Sequence, residues 1–127
     1  MKLILLVGLG SFIGGILRYL LSSSIQLKAA ATFPYGTFAV NLIGCFLIGC
    51  LYGFSEKWNL NMETKLLLTT GLLGGFTTFS AFSFESYQLI KAGHLTMAIT
   101  YLAGSVVLGL ALTFAGAWLF KPAPVSM

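Results

Sequence analysis

An all-α integral membrane fold of four transmembrane helices is what this sequence predicts, and two observations predict it. The chain is 57% hydrophobic and only 8% charged, whereas a soluble domain carries about a quarter of its residues as charges. The few charges also stand apart. Lys2, Arg18, Lys28, Glu56, Lys57, Glu63, Lys65, Glu85, Lys91 and Lys121 leave uncharged runs at 29–55, 66–84 and 92–120, with 3–17 at the front. A helix crosses a bilayer core with about 20 apolar residues. Three runs are long enough outright. The first becomes so if Arg18 lies near a helix end and snorkels to the interface.

The helices are expected at about 3–23, 35–55, 64–90 and 95–119, as a single transmembrane domain over 1–127. Turn-forming residues mark the connections: Ser22-Ser23-Ser24, Phe33-Pro34-Tyr35-Gly36, Glu56-Lys57-Trp58-Asn59 and Lys91-Ala92-Gly93-His94. Pro34 suits the start of the second helix, and Pro122 and Pro124 suit the chain beyond the fourth. The first segment is expected to be a span rather than a cleaved leader, because Arg18 interrupts it and more spans follow directly.

Several function classes drop out at once. Cys45 and Cys50 lie five apart on one helix, point in different directions and cannot bridge. The single histidine, His94, has no ligand spacing around it. No nucleophile–base constellation and no phosphate loop is present, so no enzyme is expected. The net charge of +4 is spread along the chain, which argues against nucleic acid as a partner.

Four spans put Lys2, Lys57, Lys65 and Lys121 on one side of the membrane and Arg18, Lys28 and Lys91 on the other. Lysine and arginine asymmetry sets orientation, and here there is almost none. Either the weak bias suffices, or the chain inserts both ways and assembles as an antiparallel pair. Small residues at helix-contact spacing (Gly10 and Gly14 ahead of Arg18, Gly49 and Gly53, then Gly104, Ser105, Gly109 and Gly116) allow close helix approach in lipid, within the chain or to a second copy. A homodimer is the expected whole.

Two helices carry polar stripes. In the second, Thr37 and Asn41 share a face with Gly44, Cys45 and Gly49; in the fourth, Tyr101, Ser105, Gly109 and Thr113 do. An amide at membrane depth finds a partner or lines a wet path. The third span contains Gly74-Gly75-Phe76-Thr77-Thr78, paired glycines and threonines that propagate a helix poorly. A mid-membrane break is expected there, with a glycine kink and Ser/Thr back-bonding as the alternative. Such a break frees carbonyls for an ion. Phe79 and Phe82 share a face beyond it, alternating with Ser80 and Ser83. Ring edges are electropositive and suit an anion.

Three segments, Gly14-Gly15-Ile16-Leu17-Arg18-Tyr19, Gly36-Thr37-Phe38-Ala39-Val40-Asn41-Leu42-Ile43-Gly44 and Gly74 through Glu85, resemble those of the small bacterial fluoride channels, the CrcB-type Fluc family of fluoride exporters. The resemblance covers nearly the whole chain. It implies a dual-topology antiparallel homodimer in the bacterial inner membrane, with two fluoride pores and a structural sodium ion at the dimer centre. The sodium would be bound by the backbone carbonyls of Gly74 and Thr77 from each subunit. Phe79 and Phe82 would form an aromatic box, Asn41 would donate its amide, and Ser80, Tyr101 and Ser105 would lie on a polar track. Phe76 and Ala81 stand where the family often has leucine and threonine, which removes a hydroxyl at Ala81. Arg18 and Glu85 are left with two readings, vestibule or structural.

A small dual-topology multidrug–proton antiporter is the alternative. It needs an ionisable residue at membrane depth; the first three spans lack one at mid-depth, and Glu85 lies toward the end of the third. A non-transporting scaffold subunit would carry no ion flux.

Overall fold

A computed structural model describes residues 1–120; Lys121, Pro122 and Pro124 lie outside them. The first helix is Lys2–Ala29, the second Tyr35–Trp58 and the fourth Leu95–Leu119. The third span runs from Met62 to Lys91 in pieces. A first turn, Met62–Leu66, widens into a π-helical stretch, Leu67–Leu73, and closes with Gly74–Phe76. After Thr77 and Thr78 a new helix covers Phe79–Lys91. We refer to the parts before and after the two threonines as the front and back halves. Among the described residues there is no strand, and four segments are long and apolar enough to cross a membrane.

Two boundaries differ from expectation. The first helix continues to Ala29, so Ser22-Ser23-Ser24 is not a connection. Ser24 donates to the Leu20 carbonyl at 2.7 Å, the back-bonding by which a helix tolerates serine. The chain leaves the helix at Ala30, in the left-handed conformation with φ 47°. Gln26 then ties the exit to the next helix. Its Nε2 donates to the Ala31 and Phe33 carbonyls, at 2.8 and 3.1 Å, and its Oε1 accepts from the Gly36 amide at 3.0 Å. Likewise Glu56, Lys57 and Trp58 belong to the second helix, which ends at Asn59 (φ 49°). There Trp58 stacks on Phe54 at 4.3 Å, with the Lys57 ammonium over its ring. Such an aromatic and basic end suits a membrane interface.

The glycine faces are consumed inside the chain. A Cβ at Gly10 or Gly14 would collide with the backbone of Leu67 and Leu72, and one at Gly75 with that of Ser11. The first helix and the front half therefore lie backbone to backbone. A Cβ at Gly49 or Gly53 would strike the fourth helix at Thr113 or Ala117, and one at Gly116 the second helix at Phe46. The Cys45 and Cys50 sulfurs fill space beside Gly109 and Gly116 as free thiols. Close packing within one subunit thus already uses Gly10, Gly14, Gly49, Gly53 and Gly116, whereas an added Cβ at Gly104 would meet only the Phe38 ring at 3.6 Å.

Little of the apolar surface is buried. Val40, Leu73 and Phe76 form one small core; Phe82, Leu89, Ala98 and Tyr101 form another, flanked by Phe33 and Phe38. Phe76 thus fills a core position, which accounts for a ring there. Phe12, Val107, Phe114 and Trp118 point outward, as side chains do when the solvent is lipid.

Candidate ion pathway at the helix break

The third span is broken where the glycine and threonine pairs predicted. Thr77 and Thr78 are extended (φ −93° and −149°) between two helical segments. Each side of the break is tied off locally. Thr77 donates its amide and its hydroxyl to the Leu73 carbonyl, both at 3.0 Å. The Thr78 hydroxyl accepts from the Ala81 amide at 3.2 Å, an N-cap on the back half.

Asn41 closes the gap from the second helix. Its Nδ2 donates to the Thr78 carbonyl at 3.0 Å and its Oδ1 accepts from the Thr78 amide at 2.9 Å. One Nδ2 proton is left for another acceptor. Arg18, for which snorkelling to the interface was one reading, turns into the protein: its Nε donates to the Gly75 carbonyl at 3.1 Å. Since the Thr78 amide goes to Asn41 and the Ala81 amide to the Thr78 hydroxyl, the Gly74 and Thr77 carbonyls have no partner among the described residues. In lipid such groups are costly unless something fills them.

An open cleft of about 420 Å³ lies against the break. Of the predicted site residues it is lined by Asn41, Gly74, Thr77, Phe79, Phe82 and Ser105. The Ser105 hydroxyl is buried without a partner. Phe79 and Phe82 are 5.7 Å apart, inclined at 50°. Phe82 is buried, whereas Phe79 is 79% exposed and projects off the subunit. Ser80 does not line the cleft; its hydroxyl pairs with that of Thr78 at 3.3 Å.

Thr37 and Tyr101 are elsewhere. Both donate to Glu85, Thr37 to Oε1 at 2.7 Å and Tyr101 to Oε2 at 2.8 Å. Tyr101 is wholly buried, its ring 5.0 Å from Phe82. Thr37 and Glu85 border a second, more polar cleft shared with Ser22, Ser23, Gln26 and Thr32. The predicted residues therefore divide into two polar groups, one at the break and one at Glu85. Phe82 lies between them, and Ser105 follows Tyr101 by one helical turn. Thr113, on the same stripe, faces away and donates to the Cys45 and Gly109 carbonyls.

Sequence reasoning missed the partners of Glu85 and Arg18, the double use of Asn41, and the contact that Gly44 makes. A Cβ at Gly44 would collide with the Thr77 methyl, so this glycine lets the break approach the second helix. The four-residue spacing of Gly10, Gly14 and Arg18 was the available signal for Arg18.

The sequence profile of the family described as "CrcB-like protein, Camphor Resistance (CrcB)" matches residues 5–117. A protein of Phocaeicola vulgatus is 50% identical over 94% of this chain and 98% of its own. One of Leptospira interrogans is 43% identical over 94% and 95%, and one of Oceanobacillus iheyensis 47% over 91% and 89%. All three are named fluoride-specific ion channel FluC. With the profile and these relatives spanning nearly its whole length, this multi-pass membrane protein belongs to the CrcB-like family.

Proposed function

We propose that the protein is a fluoride-selective channel that lets fluoride leave the bacterial cell passively through the inner membrane. Its working form is an antiparallel, dual-topology homodimer in lipid, with two pores. The observation that carries the reading is the cleft at the break, where Asn41, Ser105, Phe79 and Phe82 converge with no carboxylate among its lining residues. Fluoride is small and strongly hydrated, so its shell has to be replaced by close donors. The spare N–H of Asn41 and the unpaired hydroxyl of Ser105 are such donors, and ring edges add positive potential. Uncharged donors bind an ion without trapping it. The names of the relatives point the same way. Phe79, projecting from one subunit, would complete its box against a second copy.

The unpaired carbonyls of Gly74 and Thr77 suit a sodium ion at the two-fold axis, four oxygens meeting one cation. When bound, the ion supplies the positive charge that these oxygens lack. The antiporter alternative loses its support: the relatives compared are named as channels, and both Glu85 oxygens are held by hydroxyls.

The test is efflux from proteoliposomes loaded with fluoride or with chloride. Rapid fluoride release with negligible chloride release is expected. Equal rates for the two anions, or none for either, would refute the proposal.

A further inference from the structure

We propose that Arg18 is a positioning residue for the helix break, holding the Gly75 carbonyl so that those of Gly74 and Thr77 stay free for sodium; this rests on the sodium reading above. The glycine contacts lay the first helix against the front half, and Arg18 follows Gly14 by one turn on the same face. That register brings its Nε within 3.1 Å of the Gly75 carbonyl. In an unbroken helix this carbonyl would accept from Phe79, four residues on. Because Thr77 and Thr78 are extended, that bond is lost, and the carbonyl stands at the negative end of a half-helix, where a cation is favoured.

Without the guanidinium, the Gly75 carbonyl is orphaned in lipid. The direct remedy is to close the break and recover the bond to Phe79. Closing it would also draw the Gly74 carbonyl back to the Thr78 amide and the Thr77 carbonyl to the Ala81 amide, removing the four oxygens proposed for sodium. Arg18 and Asn41 therefore hold the break open from two helices, Arg18 on its front side and Asn41 at Thr78. A rival role for Arg18 is to attract anions by charge alone. That role needs the charge, whereas the positioning role needs a donor at the ε position.

Arg18→Lys separates them, since it keeps the charge but puts a methylene at that position. Arg18→Met removes both. Amide exchange at residues 77–81 would be followed in the purified dimer, together with the sodium concentration that half-stabilises it. Both variants are expected to slow exchange at Phe79, whose amide gains the Gly75 carbonyl as the break closes, about tenfold or more, the scale of one gained hydrogen bond, and to raise the sodium requirement. Wild-type exchange in a folded Arg18→Lys overturns the proposal. So does a flux defect confined to low fluoride concentrations in Arg18→Met with the break unchanged. If Arg18→Met does not fold, Arg18→Lys decides alone. A wild-type dimer indifferent to sodium would remove the ion from the account, while exchange would still judge whether Arg18 holds the break.

Discussion

At Asn41 one amide spans the break, its oxygen on the Thr78 amide and its nitrogen on the Thr78 carbonyl, which leaves one amide proton spare on a residue that lines the cleft. An aspartate of the same shape keeps the first bond, loses the second and introduces a negative charge beside an anion path. Asn41→Asp is therefore expected to assemble but to pass fluoride at least about tenfold more slowly, since each 1.4 kcal/mol of added barrier is a factor of ten. Orphaning the Thr78 carbonyl alone costs about 1–3 kcal/mol. Wild-type flux through a correctly sized Asn41→Asp dimer would remove Asn41 from the pore. Glu85 shows the opposite situation: a half-buried carboxylate made tolerable because two hydroxyls on two other helices donate to it.

The third span shows what an element gains from poor helix formers. Its π-helical stretch, Leu67–Leu73, is a feature that often accompanies function. The break follows at once, and the first helix supports both through direct backbone contact. Gly14→Ala would place a methyl on the Leu72 carbonyl and Gly75→Ala one on that of Ser11. Each is expected to destabilise the subunit by about 1–3 kcal/mol, as overpacking does. Gly15, with nothing near its missing Cβ, is the internal control; Gly15→Ala is expected within about 0.5 kcal/mol of wild type. Denaturation of the three variants in detergent checks the ranking, and a Gly14→Ala as stable as Gly15→Ala would contradict the packing described.

For the whole molecule the open question of orientation becomes an experiment. Lys2, Lys57, Lys65 and Lys121 stand against Arg18, Lys28 and Lys91. Insertion reads these charges before Arg18 has found Gly75, so the bond to Gly75 leaves the count unchanged. Single cysteines at Lys28 and at Lys57, in a background lacking Cys45 and Cys50, are expected to react comparably with an impermeant reagent from either face of the membrane. Labelling from one face only would rule out the antiparallel dimer and, with it, two pores of opposite polarity.

The number of spans, their approximate limits, a break within 74–78 and the small-residue faces were all legible in the sequence, because each is local; that Gly74 and Gly75 stay helical and only Thr77 and Thr78 are extended was not. Charge spacing reveals a span without reference to any neighbour, and paired glycines and threonines weaken a helix wherever it sits. The extent of the first helix was misread because serines that signal a loop in water are satisfied by back-bonding in a helix. The site was legible only as residue types: Asn41, Ser105, Phe79 and Phe82 were named, and their convergence was implied by resemblance. Tertiary structure alone decided that Thr37 and Tyr101 serve Glu85, that Asn41 clamps Thr78 and that Arg18 holds Gly75. Each of these bonds joins residues 16 to 57 positions apart. A side chain's choice of partner at that separation depends on how helices pack, and one helix's sequence does not encode what its neighbour will present.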